Sequence, residues 1–235
     1  AMVPLYLMAT WPVGMSAPSL TWVTTFLMPF NLIAIFRVGM FVTYMYWMFY
    51  GATAFNGVLT SWNISSVTDM LAMFNDAVAF NCDLLSWDVS SVTYMNRRMC
   101  YGATVFNGDL ASWDVSSITD MSRMFGNAAA FNGDLVSWDF SSVTTISFMF
   151  KEASAFNCDL PIWEISSVID MCDMFSGANA FNQDLCAWAD IFPYSSSSNI
   201  FTNSGCAFDG TPQLDQGDHF VHPHPAPLGE DNNTQ

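Results

Sequence analysis

Trp62, Trp87, Trp113, Trp138, Trp163 and Trp188 recur at intervals of 25, 26, 25, 25 and 25 residues. A Phe-Asn pair keeps step with them, at Phe55-Asn56, Phe80-Asn81, Phe106-Asn107, Phe131-Asn132, Phe156-Asn157 and Phe181-Asn182. So constant a spacing confines the chain to a repeat architecture, in which each unit is one coil buried only by its neighbours. The unit from 106 to 130 reads FNGDLASWDVSSITDMSRMFGNAAA.

Local pattern predicts the shape of one coil. Trp113 and Val115 are two apart and point to one face of a short strand, with Asp114 on the other face. Ser117-Ile118-Thr119-Asp120 then offers a hydroxyl cap with a carboxylate three residues on. Ile118, Met121, Met124 and Phe125 follow at the spacing of one face of a short α or 3-10 helix. Gly51, Gly102, Asn127 and Gly177 suit a left-handed position at its end. The expected fold is therefore α/β: a solenoid of short parallel strands, about 4.8 Å apart, and short helices. Its tryptophans would stack inside. The column Asn56, Asn81, Asn107, Asn132, Asn157 and Asn182 would form a structural ladder in the turns, its amides bonding backbone groups left unpaired there.

The register divides the chain into three. Phe30-Asn31 precedes Phe55-Asn56 by 25 residues, so residues 1–40 read as degenerate coils forming a cap or an interface. Residues 41–190 are the tandem repeat, and 191–235 a C-terminal cap with a polar, partly extended tail. The segment Met95-Asn96-Arg97-Arg98-Met99 has one residue too many, which predicts a bulge, and Cys100 stands where Phe is usual. Residues 22–50 are apolar enough to span a bilayer, but their repeat register argues for coils whose apolar face is covered by protein.

The pattern L-x-x-W-x-V-S-S-V-T-D-M-x-x-M-F followed by F-N-x-D-L resembles the surface-protein repeat of the mycoplasma-lipoprotein type. It is also similar to the BspA-like leucine-rich repeats of bacterial surface proteins. The resemblance covers residues 41–190 strongly and 20–40 weakly. It implies a leucine-rich-repeat-like, right-handed solenoid on the cell surface or outside the cell, associated with adhesion. It supplies no catalytic residues.

Charge narrows the function. With 21 acidic and 5 basic residues the chain carries −16, too few cations for a nucleic-acid binder. An aromatic content of 16% excludes disorder of the whole. Asp88, Asp114, Asp139 and Glu164, with Asn63 before them, form an outward column that is a candidate face for calcium or a ligand. A second column, Asp83, Asp109, Asp134, Asp159 and Asp184, reads as turn caps. No C-x-x-C occurs, and no zinc site is expected; Cys186 and Cys206 are the candidate disulfide. Asn63 and Asn232 lie in N-glycosylation sequons. His219, His222 and His224 cluster in a Pro-rich tail and read as a mobile end rather than a metal site. No nucleophile elbow, phosphate loop or zincin helix appears, and repeated Asp columns offer no unique acid-base pair.

These features predict a non-enzymatic extracellular structural protein that needs no cofactor. It would self-associate through its apolar head into a filament or surface layer, and take cations or glycans on its acidic face. The rival expectation is a monomeric or membrane-anchored adhesion module that binds a cell-surface ligand on that face.

Overall fold

A computed structural model describes residues 43–95, 98–160 and 163–206, with the backbone of 213–214 and 220–221. The apolar head to residue 42, the expected bulge at 96–97 and the histidine cluster lie outside the described residues. So does Asn232.

Successive units lie side by side, and the backbone shows why. The N–H groups of Met121, Arg123, Phe125 and Asn127 donate to the carbonyls of Thr145, Ser147, Met149 and Lys151, at 2.7–3.0 Å. The same four-bond set links Met45–Gly51 to Asp69–Asn75 and Ile146–Glu152 to Asp170–Ser176. Between these outward bonds the chain closes on itself: Met124 N–H donates to Met121 O, Gly126 to Arg123 O and Ala128 to Phe125 O. Each segment is thus a run of overlapping β-turns, and not the helix that the Met-x-x-Met-Phe spacing predicts. Type II turns need a positive φ at their third residue. Arg123 (φ 60) and Asn127 (φ 57) meet that need, as do Phe148 and Glu152 one unit on. The expected left-handed positions Gly51, Gly102, Asn127 and Gly177 have φ between 57 and 76, but they sit in turns, not at helix ends.

The Leu-x-x-Trp-x-Val stretch also differs from expectation. It holds no strand among the described residues; parallel bridges fall later in the unit, at Tyr44–Asp69–Tyr94 and Asp120–Thr145–Asp170. The cause is the Asp-x-Ser sequence. Asp114 Oδ1 accepts the N–H of Ser116 at 3.1 Å and its hydroxyl at 2.6 Å, and Ile118 N–H closes a turn onto Val115 O. Side-chain bonds of this kind draw backbone away from a ladder.

The ladder runs past the expected boundary. Met171, Asp173, Phe175 and Gly177 donate to Ser196, Ser198, Ile200 and Thr202, so residues beyond 190 supply one more rung without a tryptophan. Short 3-10 helices at Cys186–Ile191 and Tyr194–Ser196 lead into it. In the tail, Gln213–Leu214 pairs antiparallel with Phe220–Val221.

Apolar columns run through the units. Phe125, Phe150, Phe175 and Phe201 stack with centroids 5.7–5.9 Å apart, and Phe80, Phe106, Phe131, Phe156 and Phe181 at 5.5–6.1 Å. Within a unit the two columns meet at 3.7–3.9 Å, as in Phe125–Phe131 and Phe150–Phe156. Nearly parallel rings at the longer spacing are the offset stacks that ring quadrupoles favour. Buried Cys100 fills the place of one phenylalanine, and burial pushes its thiol pKa well above the usual range.

All six tryptophans of the repeat column are buried. Trp113 stacks on Trp138 at 6.3 Å and Trp163 on Trp188 at 6.5 Å, while Phe140 lies 3.7 Å from Trp163. The indole N–H of Trp138 donates to Leu110 O at 3.1 Å, a carbonyl that also accepts Trp113 N–H. Trp87, Trp113 and Trp163 repeat the bond to Leu59, Leu84 and Leu135. One leucine carbonyl per unit therefore uses both lone pairs. Replacing Trp138 by Phe should lower the unfolding free energy by about 2 kcal/mol, from one lost bond and a smaller ring. Asn132→Ala, which removes a more exposed bond, should cost about 1 kcal/mol. Urea unfolding of both variants checks the order.

Candidate functional site

The asparagine column forms a continuous chain of bonds. Asn81 N–H donates to Asn56 Oδ1, Asn107 to Asn81, Asn132 to Asn107, Asn157 to Asn132 and Asn182 to Asn157, all at 2.8–2.9 Å. The amide oxygens from Asn56 to Asn157 thus meet the backbone of the next unit and hold the units in register.

The outward column turns back on its own backbone. Asp88 accepts from Ser90, Asp114 from Ser116, Asp139 from Ser141 and Glu164 from Ser166, and Asn63 accepts from Ser65 in the same way. The serine hydroxyl first, and its N–H second, hold the carboxyls of Asp114, Asp139 and Glu164 below their usual range. Asp83, Asp109 and Asp134 accept the N–H two residues on, at 2.9 Å. A third set was not visible as such in sequence: Asp69, Asp120 and Asp170, at the parallel bridges, accept from Leu71, Ser122 and Cys172. Their Asp-x spacing relative to the bridge is periodic, but the capping-box pattern masks it. Among the described residues no three His, Cys, Asp or Glu side chains come together as a metal site.

Cys206 is a buried free thiol that donates to Phe181 O at 3.3 Å; the Cys186 side chain lies outside the described residues. Among the described residues no helix is long and apolar enough to cross a membrane.

One concave site breaks the acidic pattern. Arg98, Tyr101, Arg123, Asn127, Phe148 and Lys151 line a cavity of about 260 Å³. The signal was present in sequence as register: Arg98, Arg123 and Phe148 are successive members of one column, and Tyr101 and Lys151 lie three residues after the first and last. It becomes legible only when units are aligned and the exceptions to the column are marked.

Sequence comparison agrees with the repeat geometry. A family model described as "Mycoplasma protein of unknown function, DUF285" matches residues 37–117 and again 97–209. The chain belongs to this family. The two overlapping matches take in every tryptophan of the DUF285 repeat and the rung that follows residue 190. No curated protein matches the chain, and no solved structure does.

The carboxylate-serine turns predict the acid response of this DUF285 chain. A carboxyl whose folded pKa is depressed stabilises the fold above its unfolded pKa, near 4, and loses that contribution as pH falls through the folded value. The groups are exposed, so the effect is small. The double variant Ser116→Ala/Ser141→Ala should show a shallower loss of thermal midpoint than the parent between about pH 4 and pH 2.

Proposed function

We propose that this chain is a non-enzymatic structural protein of the cell surface or extracellular space. Its units form a leucine-rich-repeat-like, right-handed solenoid that joins other copies end to end in a filament or surface layer. The apolar head supplies the main contact.

The observation that carries this reading is the directional asparagine ladder. Every unit offers an amide oxygen to the unit after it. The ladder runs on to Asn182, and residues up to Cys206 continue the next unit, with Gly205 N–H donating to Ala178 O and the Cys206 thiol to Phe181 O. A second copy in register would carry the ladder on through the Phe30-Asn31 pair that its own sequence places one repeat ahead of Phe55-Asn56. Such a contact joins unlike surfaces, and unless its rotation closes a ring it produces a fibre. The polar side chains of the repeat support the reading too, because they are engaged in turns and rungs.

A rival reading keeps the chain monomeric or membrane-anchored, as an adhesion module that presents Asp88, Asp114, Asp139 and Glu164 to a ligand. It draws on the exposure of those four side chains. Negative-stain imaging and size-exclusion chromatography of the full chain separate the two. Polymers that disappear when residues 1–40 are removed are the expected result. Dispersed monomers of the full chain would refute assembly and favour adhesion.

A further inference from the structure

Three of the five Lys and Arg residues in a chain of net charge −16 line one cavity. Lys151 Nζ is held by Asp173 at 2.8 Å, the one salt bridge among the described residues. Arg98 and Arg123 have no carboxylate partner there. Instead, Arg98 Cζ lies 5.0 Å from the centre of the Tyr101 ring and Arg123 Cζ 4.4 Å from that of Phe148, with Lys151 Nζ 5.3 Å from the same ring. A guanidinium over an aromatic ring is attracted to its face, and its planar fork of donors matches a carboxylate with two parallel bonds.

The repeat register brings the lining residues together. Tyr101, Gly126 and Lys151 share one register in three consecutive units. Gly126 has no side chain, so the Tyr101 ring lies over it: a Cβ there would come within 2.9 Å of that ring. Arg98, Arg123 and Phe148 all have positive φ (84, 60 and 60), a conformation rare for bulky residues, and it is this backbone that carries the lining side chains. The nearest carboxylates of the adjoining column, Asp76 and Glu152, lie against Gly102 and Gly177, and neither lines the cavity.

We propose that this cavity binds a carboxylate-bearing sugar residue, such as a uronate. Arg98 and Arg123 take the carboxylate, Asn127 gives an amide donor and acceptor to a ring hydroxyl, and Tyr101 and Phe148 form the apolar walls. The volume exceeds what a bare oxyanion fills and falls just below the range of drug-sized ligands, as suits one sugar ring. Three cations at one point cannot follow a phosphate backbone, which requires a track of them. The acidic surface elsewhere does not prevent binding, because charges beyond roughly 8 Å are screened at physiological salt.

Calorimetric titration of the full chain with methyl glucuronide, methyl glucoside, inorganic sulfate and inorganic phosphate tests the site, whether the protein is assembled or dispersed. Saturable binding of the glucuronide alone is expected. Its affinity should fall at least about tenfold in both Arg123→Gln and Arg98→Gln, equivalent to 1.4 kcal/mol, and in Arg123→Lys, which keeps charge but loses the fork. Asp88→Asn, away from the cavity, should bind as the parent does. Thermal midpoints of the variants establish that they are folded. Absence of glucuronide binding, equal binding of the neutral glucoside, or unchanged affinity in folded arginine variants overturns the proposal. Sulfate or phosphate binding as tightly as glucuronide overturns the sugar assignment.

Discussion

The backbone of each unit cannot satisfy itself. Of the eight N–H groups from residue 121 to 128, overlapping turns absorb three and the Asp120 carboxylate a fourth, and the other four point towards the next unit, where Thr145, Ser147, Met149 and Lys151 receive them. Everything else follows this division. Left-handed residues are needed twice per unit to keep the turns going, and they fall even on Trp47 and Phe148, side chains that resist that conformation. Their N–H groups bond to Leu71 and Cys172 of the following units, which is what holds them there. Phenylalanine pairs then fill the interior at a spacing set by the backbone, and the asparagine and tryptophan bonds tie down the remaining two sides.

Those parts of the molecule that repeat were legible in sequence. The 25-residue period, the positions of Asn107 and Trp113 within it, and the left-handed places at Gly102 and Asn127 all follow from residue type at constant register. The secondary structure was less legible, for a physical reason. Trp113-x-Val115 alternates as a strand would, yet Asp114 and Ser116 close a turn that alternation cannot register. Met121-x-x-Met124-Phe125 has helical spacing, yet the acceptor for Met121 N–H is Thr145, in another unit. A window confined to one unit sees the apolar face and misses the partner. The arginine-lined cavity escaped for the opposite reason: it is an exception to the repeat, and a search for regularity passes over exceptions.

The acidity of the chain is likewise a matter of turns. Carboxylates at Asp83, Asp88, Asp109 and Asp114 each occupy a backbone N–H two residues later, so their first task is local geometry. A surface assembled this way is highly negative through the local geometry of its turns. Against that background the cluster of Arg98, Arg123 and Lys151 stands out as a choice of composition that the repeat does not require.

The step that joins one unit to the next is the same throughout, whereas the cavity spans three. Duplicating or excising one complete 25-residue module would leave the junction chemistry intact, so copy number is free to drift during evolution. Excising the module around Arg123 would set Arg98 directly against Phe148 and remove Gly126, over which the Tyr101 ring lies. Length variants of this lineage should therefore preserve those three modules as a block wherever the cavity is used, and lose them freely wherever it is not.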